Sequence, residues 1–212
     1  MAAPTLVITI SRQIGAGGAY VGQALARRLG IRYVDREILQ QAAALLGREE
    51  NDLEPLEERA SSTWDRVASI LSLGAPEAPF VPPPLPTFAE DELFAVESQV
   101  MHEIAAREDA VIVGRAGGWV LKKHAGVLRV FLYAPEDWRA ERIRESYQLA
   151  SLDAARSLVH RSDQQRARFV QAVIGEDWTA PHGFDACLNT RTVGLDTTVD
   201  VLAAIAQARL RK

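Results

Sequence analysis

An α/β fold, with a parallel sheet of about five strands flanked by helices, is predicted by three features of this sequence. Short runs of apolar, often β-branched residues recur at 6–10 (LVITI), 31–34 (IRYV), 110–113 (AVIV), 127–133 (VLRVFLY) and 184–189 (FDACLN). Segments with helical spacing separate them, and a glycine-rich turn follows the first. Runs this apolar suit strands buried on both faces, and parallel strands need a helical crossover between them. In such sheets ligands bind at the carboxyl ends of the strands.

Each element follows from its local pattern. After the glycine turn, Val21, Leu25 and Leu29 recur every four residues with Ala24 and Ala26 between them, one face of a helix that Gly30 ends. From Arg36 to about Leu46 the pattern is helical again. Between about 48 and 103 the composition shifts. Acidic residues cluster at Glu49, Glu50, Asp52, Glu54, Glu57 and Glu58, and again at Glu90, Asp91 and Glu92. The stretch 75–86 (APEAPFVPPPLP) is too rich in proline for a helix or a central strand. This region is expected to be a helical insertion interrupted by an extended loop, its acidity that of a solvated helix face. Residues 114–124 read as a turn and a short helix. Ala134-Pro135-Glu136 opens a charged helix, and a long helix runs from about 151 to 173. A closing helix spans 196–210, with Asp196 or Thr197 as its N-cap. No internal repeat is present.

A length of 212 residues fits one domain with a small insertion. Lys and Arg number 24 against 28 Asp and Glu, for a net charge of −4. That balance argues against a nucleic-acid or anionic-membrane binder. No apolar run approaches the roughly 20 residues of a spanning helix. The opening MAAPTLVITI lacks the charged segment of a secretory signal. The single cysteine, Cys187, excludes an internal disulfide and a cysteine metal cluster; within a strand pattern it reads as a small core hydrophobe. A reducing, cytoplasmic compartment is the expectation. His102, His124, His160 and His182 have no metal-site spacing, and Trp119, Trp138 and Trp178 read as packing aromatics. No interface pattern is legible, so a homo-oligomer stays open.

Chemistry concentrates in the first turn. Gly15, Gly17 and Gly18 lie between a buried strand and a helix. Glycines there let backbone N–H groups face a phosphate without interference from Cβ, and the helix N-terminus adds its positive end. Ser11, Gln13, Gly15, Ala16, Gly17, Gly18 and Ala19 are the candidate phosphate-binding residues.

The segment ITISRQIGAGGAYVGQALARRLGIRYVDREIL resembles the opening of the cytidylate kinase-like family, relatives of bacterial cytidylate kinase among the P-loop nucleoside-monophosphate kinases. The resemblance continues in AVIVGRAGGWVLKK, VLRVFLYAPEDWRAERI, RSDQQRARF and FDACLNTRTVGLDTTVDVL. It implies a P-loop NTPase-type sheet in a single domain (1–212), with the insertion at about 48–103 on the acceptor side and a helical lid at about 150–175. It further implies ATP and Mg²⁺, and transfer of the ATP γ-phosphoryl group to a nucleoside monophosphate, CMP by analogy. Small nucleotides would then be the partners.

The departures from that pattern are specific. A P-loop reads GxxxxGK[ST], its Lys reaching the β- and γ-phosphates and its hydroxyl holding Mg²⁺. On that alignment Gly18 stands at the Lys, Ala19 at the Ser/Thr, and Arg12 at the first glycine, while Tyr20 replaces a threonine of cytidylate kinases. Arg12 is the candidate replacement for the missing charge, because a guanidinium grips phosphate oxygens bidentately; pairing with a nearby carboxylate is its alternative. Asp35 and Arg36 fall on the acceptor side, with Asp35 alternatively capping the next helix or holding Mg²⁺ through water. Arg115 matches an arginine that grips the acceptor phosphate, although Ala116 replaces the following Asp. An arginine ending an interior strand is also costly to bury without an anionic partner. The lid match places Asp163 and Arg166, with Ser162 where one family arginine would be and Arg161 and Arg168 as nearby alternatives; Arg161, Asp163 and Arg166 are the lid candidates. Asp163 and Arg166 could instead form a plain surface pair. Asn189, Thr190 and Arg191 would border the adenine. Arg12, Arg115 and Arg166 are thus the catalytic candidates, and no metal ligand is assigned within the chain. The competing readings are a non-catalytic nucleotide-binding module and a kinase for another acceptor.

Overall fold

The computed structural model describes residues 4–35 and 90–210. The expected helix after Arg36, most of the expected insertion and its proline-rich loop lie outside the described residues.

Five strands, seven α-helices and one 3-10 turn (Pro181–Gly183) make up the described chain: β1 (Val7–Arg12), α1 (Gly18–Leu29), β2 (Arg32–Val34), α2 (Glu90–Arg107), β3 (Ala110–Val113), α3 (Gly117–Val120), β4 (Val127–Tyr133), α4 (Glu136–Ser146), α5 (Leu152–Ile174), β5 (Ala186–Asn189), α6 (Thr190–Val193) and α7 (Leu195–Leu210). The strands form one parallel sheet in the order β2-β3-β1-β4-β5. β1 is central: Val7 is in register with Ala110 of β3 and Val127 of β4.

Alternation along the strands divides the core between two faces. Ile8 and Ile10, with Val111 and Val113, pack with Val21 and Leu25 of α1 and with Leu202 and Ala206 of α7. Val7, Ala110 and Ile112 pack on the other face with Val100, Met101 and Ile104 of α2. α4 and α5 pair through Ala140, Ile143, Ala155 and Val159. No helix among the described residues is long and apolar enough to cross a membrane.

Helix ends follow the expected chemistry at most points. Gly30 ends α1 at φ 66°, its N–H donating to the Ala26 and Arg27 carbonyls. The Ser151 hydroxyl accepts from the Ala154 N–H (3.1 Å) and starts α5. α7 starts differently. It begins at Leu195, and the Gly194 carbonyl accepts the first helical bond from the Thr198 N–H (3.0 Å). Asp196 and Thr197 therefore lie inside the first turn and do not cap it. The capping side chain is Asn189, whose Oδ1 accepts from the Arg191 and Thr192 N–H groups of the short α6.

Two other expectations change. β1 runs beyond the apolar stretch, because Ser11 and Arg12 still pair with Phe131 and Leu132 of β4. Arg12 consequently leaves from a strand end and not from a loop. Cys187 is exposed and is not a core residue, because β5 is an edge strand with a neighbour on one side only.

Candidate functional site

The turn between β1 and α1 is held from behind. Gly15 and Gly17 adopt φ 77° and 81°, the left-handed region that favours glycine. A Cβ on Gly15 would lie 2.8 Å from the Arg139 carbonyl oxygen, and one on Gly17 would overlap the Leu195 side chain. The Gln13 N–H donates to the Leu132 carbonyl (3.0 Å), and its side-chain Oε1 accepts from the Ala134 N–H (3.2 Å), so Gln13 ties the turn to the end of β4. The Ala16 N–H donates to the Gln13 carbonyl (3.2 Å). Arg139 Nη1 donates to the Ile14 carbonyl (3.1 Å) and Arg142 Nε to the Gly15 carbonyl (3.2 Å). Arg142 also lies over the Trp138 ring, 4.9 Å from its centroid. Tying these carbonyls back to α4 removes acceptors that would repel an anion.

The amides that follow suit a phosphate. Gly17 caps α1 without a side-chain hydrogen bond, and the first helical bond is the Val21 N–H to the Gly17 carbonyl (2.9 Å). The Gly18, Ala19 and Tyr20 N–H groups thus have no partner within the helix, the arrangement that favours an anion. Gly15→Ala should lower the unfolding free energy by about 1–3 kcal/mol, the usual cost of such backbone strain, in a urea titration.

Arg12 and Gly18 are fitted to one another. A Cβ on Gly18 would lie 2.5 Å from Arg12 Cγ and 3.0 Å from Arg12 Cβ. Farther along the side chain, a Cβ on Gly114 would overlap the Arg12 guanidinium. The arginine stem therefore passes over Gly18, and its head lies at the end of β3. Tyr33, beyond the ring contact with Gly22, is part of the same neighbourhood. Burial first, and the Asp35 carboxylate second, push its hydroxyl pKa well up, so it stays protonated at neutral pH. Asp35 follows the end of β2 and is half-buried. Arg36 lies outside the described residues.

Arg115 emerges from a strained turn. Gly114, Arg115 and Ala116 have φ of 93°, 48° and 54° in succession. Left-handed backbone at non-glycine residues clusters at functional sites. Arg115 Nε donates to Glu97 Oε2 at 2.5 Å, and its guanidinium lies 4.3 Å from the Phe169 ring centroid. The anionic partner that its burial requires is thus supplied by the protein, from α2.

Ser11, Arg12, Arg115, Arg166 and Arg168 line one cavity of about 610 Å³ at the carboxyl ends of β1 and β3. Its remaining wall is mostly apolar, from Trp119, Phe169, Val170, Val173 and Trp178. Trp119 packs edge-on against Phe184 and Trp178 against Phe131, so both tryptophans serve packing and the cavity at once. Arg161 is exposed and is not part of this wall. Ser162 is part of it, and its hydroxyl accepts from Arg166 Nη1 (2.9 Å).

Asp163 faces the turn. Its Oδ1 accepts from the Ile14 N–H (3.2 Å), and its Oδ2 from Arg139 Nη1 (2.7 Å). The expected pair with Arg166 is present at 3.5 Å but is the longer contact. Asp163 thereby links α5, α4 and the glycine turn. Asn189 ends β5 and Thr190 and Arg191 follow it, with Thr190 buried and its hydroxyl donating to the Tyr133 carbonyl (3.3 Å).

Three residues of this site were not legible in the sequence: Glu97, Arg139 and Phe169. Both charged residues sit in charged helical segments, and their partners are distant in sequence. Among the described residues no group of three or more His, Cys, Asp or Glu side chains could hold a metal ion.

Comparison with known proteins bears on the same residues. A model of the cytidylate kinase-like family matches residues 7–192. The cytidylate kinase of Ignicoccus hospitalis is 27% identical over 196 residues, covering 92% of this chain and 96% of that protein. The cytidylate kinase of Halorubrum lacusprofundi is 28% identical over 205 residues, covering 96% and 90%. Among solved structures, an uncharacterised protein from Eubacterium ventriosum aligns with a TM-score of 0.70 at 17% identity, covering 96% of this chain and 99% of that one. Shikimate kinase from Bacteroides thetaiotaomicron aligns with a TM-score of 0.51 at 18% identity, covering 95% and 98%. These structural matches establish the P-loop kinase fold.

Proposed function

Because the chain belongs to the cytidylate kinase-like family, we propose that it transfers the γ-phosphoryl group of ATP to a nucleoside monophosphate, with CMP as the first acceptor to test. The observation that carries this reading is the fit of Arg12 over Gly18 and on to Gly114. The glycine at the lysine position is the space that an arginine side chain needs.

In this reading the amides of Gly15, Gly17, Gly18 and Ala19 cradle the ATP phosphates, and Arg12 delivers a guanidinium toward the transferred group. Arg115 holds the acceptor's anionic end. Arg166 and Arg168 of the lid helix bring further charge to the same cavity. Phosphoryl transfer asks the protein for position and charge stabilisation more than for covalent chemistry. The apolar wall of Trp119, Phe169 and Trp178 excludes water, which strengthens each charge interaction inside.

Mg²⁺ would supply charge neutralisation at the nucleotide phosphates. Ala19 offers it no hydroxyl, so the chain suits an ion carried mainly by phosphates and water, the usual habit of Mg²⁺, with Asp35 as the candidate carboxylate.

The absence of the loop lysine and hydroxyl favours a second reading, a nucleotide-binding module without turnover. Incubation with Mg·ATP and each nucleoside monophosphate in turn separates the two. Diphosphate formation, fastest with CMP, is expected. No diphosphate above the level of an Arg115→Ala variant, together with calorimetric ATP binding, would establish the module instead. Turnover of some other phosphorylated acceptor but of no nucleoside monophosphate would move the acceptor assignment and leave the kinase reading in place.

A further inference from the structure

We propose that Glu97 is a positioning residue for acceptor binding: its carboxylate fixes Arg115 by Nε, the Phe169 ring packs against the guanidinium, and the two together aim the remaining donors at the acceptor's anionic group. This rests on the reading of Arg115 as an anion contact.

Glu97 is fully buried, at 0% exposure, in a helix that otherwise contributes apolar residues to the sheet. Such burial of a carboxylate is tolerated only with a charged, hydrogen-bonded partner. Arg115 supplies one at 2.5 Å, and its own side chain is only 11% exposed. A guanidinium carries five N–H donors in a rigid planar fork. Bonding at Nε fixes the plane and leaves the Nη donors for the cavity that Arg115 lines. The guanidinium carbon lies 4.3 Å from the Phe169 centroid and 6.0 Å from that of Phe94, and the two rings meet edge to face at 5.4 Å. The guanidinium is thus held by contacts from two elements, Glu97 of α2 and Phe169 of α5, above a backbone fixed in the left-handed region.

The bond from Nε to Glu97 contributes orientation. A long arginine held in one rotamer before the ligand arrives avoids the ordering cost of binding. Phe169 also lies on the helix that carries Arg166 and Arg168, all three lining the cavity. Movement of α5 would therefore change the platform under Arg115 as well as the lid arginines.

The test measures CMP, inorganic phosphate and ATP binding by calorimetry, with tryptophan fluorescence reporting the cavity through Trp119 and Trp178. The proteins are wild type, Glu97→Gln, Glu97→Asp, Phe169→Leu, Arg115→Ala and the Glu97→Gln/Arg115→Ala double variant. Glu97→Gln is expected to weaken CMP by about tenfold, the usual scale for an orienting partner, with ATP affinity unchanged. Glu97→Asp should recover part of the loss. In the double variant Glu97→Gln should add nothing to Arg115→Ala. If Glu97→Gln does not fold, Phe169→Leu carries the comparison, with a severalfold loss of CMP affinity alone. CMP affinity within twofold of wild type in Glu97→Gln, while Arg115→Ala abolishes it, overturns the role of Glu97 and leaves that of Arg115. Equal loss of ATP and CMP, or full additivity in the double variant, also overturns it. Unchanged CMP and phosphate binding in Arg115→Ala removes the reading on which the proposal rests, as does wild-type protein that binds neither probe at millimolar concentration.

Discussion

Replacing Arg12 by alanine is expected to lower kcat by about 10³-fold or more, the scale of a guanidinium that stabilises a transferring phosphoryl group. The melting temperature should change little, because Arg12 lies at the carboxyl end of β1 and outside the apolar clusters. The reciprocal change separates this role from general damage. Gly18→Lys restores the residue type of a standard P-loop, yet its Cβ would lie 2.5 Å from Arg12 Cγ, so alone it should also inactivate the protein. In the Arg12→Ala/Gly18→Lys double variant the stem of Arg12 is gone and the lysine can take the vacated path. The double variant is expected to exceed both single variants in turnover of Mg·ATP and CMP. Two independent losses that simply add would mean that the arginine does not occupy the functional place of the lysine.

The next largest effect is expected at Arg139 and Asp163. Their side chains are 6% and 18% exposed, and the pair closes at 2.7 Å behind the glycine turn. Removing one member of a buried ion pair leaves the other charge uncompensated, at a cost of about 3–5 kcal/mol. Arg139→Met should therefore lower the melting temperature by roughly 10 °C at this chain length. Asp163→Leu should act similarly and also release the Ile14 N–H. The double variant Arg139→Met/Asp163→Leu replaces both charges by apolar groups, which is often near neutral for stability. Its melting temperature should recover, but ATP binding should not, because Ile14 has lost both backbone anchors. Differential scanning calorimetry beside an ATP titration reads both quantities. Recovery of both together would show that the pair only stabilises the fold.

Why some of this was legible in the sequence and some was not has a physical basis. Strands buried on both faces must be apolar throughout, so β1, β3 and β4 announce themselves. Glycines at positive φ, such as Gly15 and Gly17, mark a turn for a similarly local reason. β1's last residues, Ser11 and Arg12, are polar because they end at the site, and that is why the apolar pattern stops before the strand does. A strand pattern does not reveal whether the strand is central or at the edge, so Cys187 reads as core although it is exposed. The Asp196 and Thr197 cap was misplaced because Asn189 and a separate short helix intervene. Glu97 and Arg139 are ordinary helix residues by composition; only the tertiary partners, Arg115 and Asp163, make them exceptional. Asp163 was visible as a candidate, but its direction, toward the Ile14 amide, was set by packing of α5 on α4.

The central claim is that the main-chain amides of the first turn hold the ATP phosphates with the Arg12 guanidinium beside them. Nitrogen-15 NMR during an ATP titration in the presence of Mg²⁺ tests it directly. The Gly15, Gly17, Gly18 and Ala19 amides and the Arg12 side-chain resonances are expected to shift together and saturate with one binding curve. If these signals stay in place at millimolar ATP, the nucleotide is not held there and the assignment of this turn is contradicted.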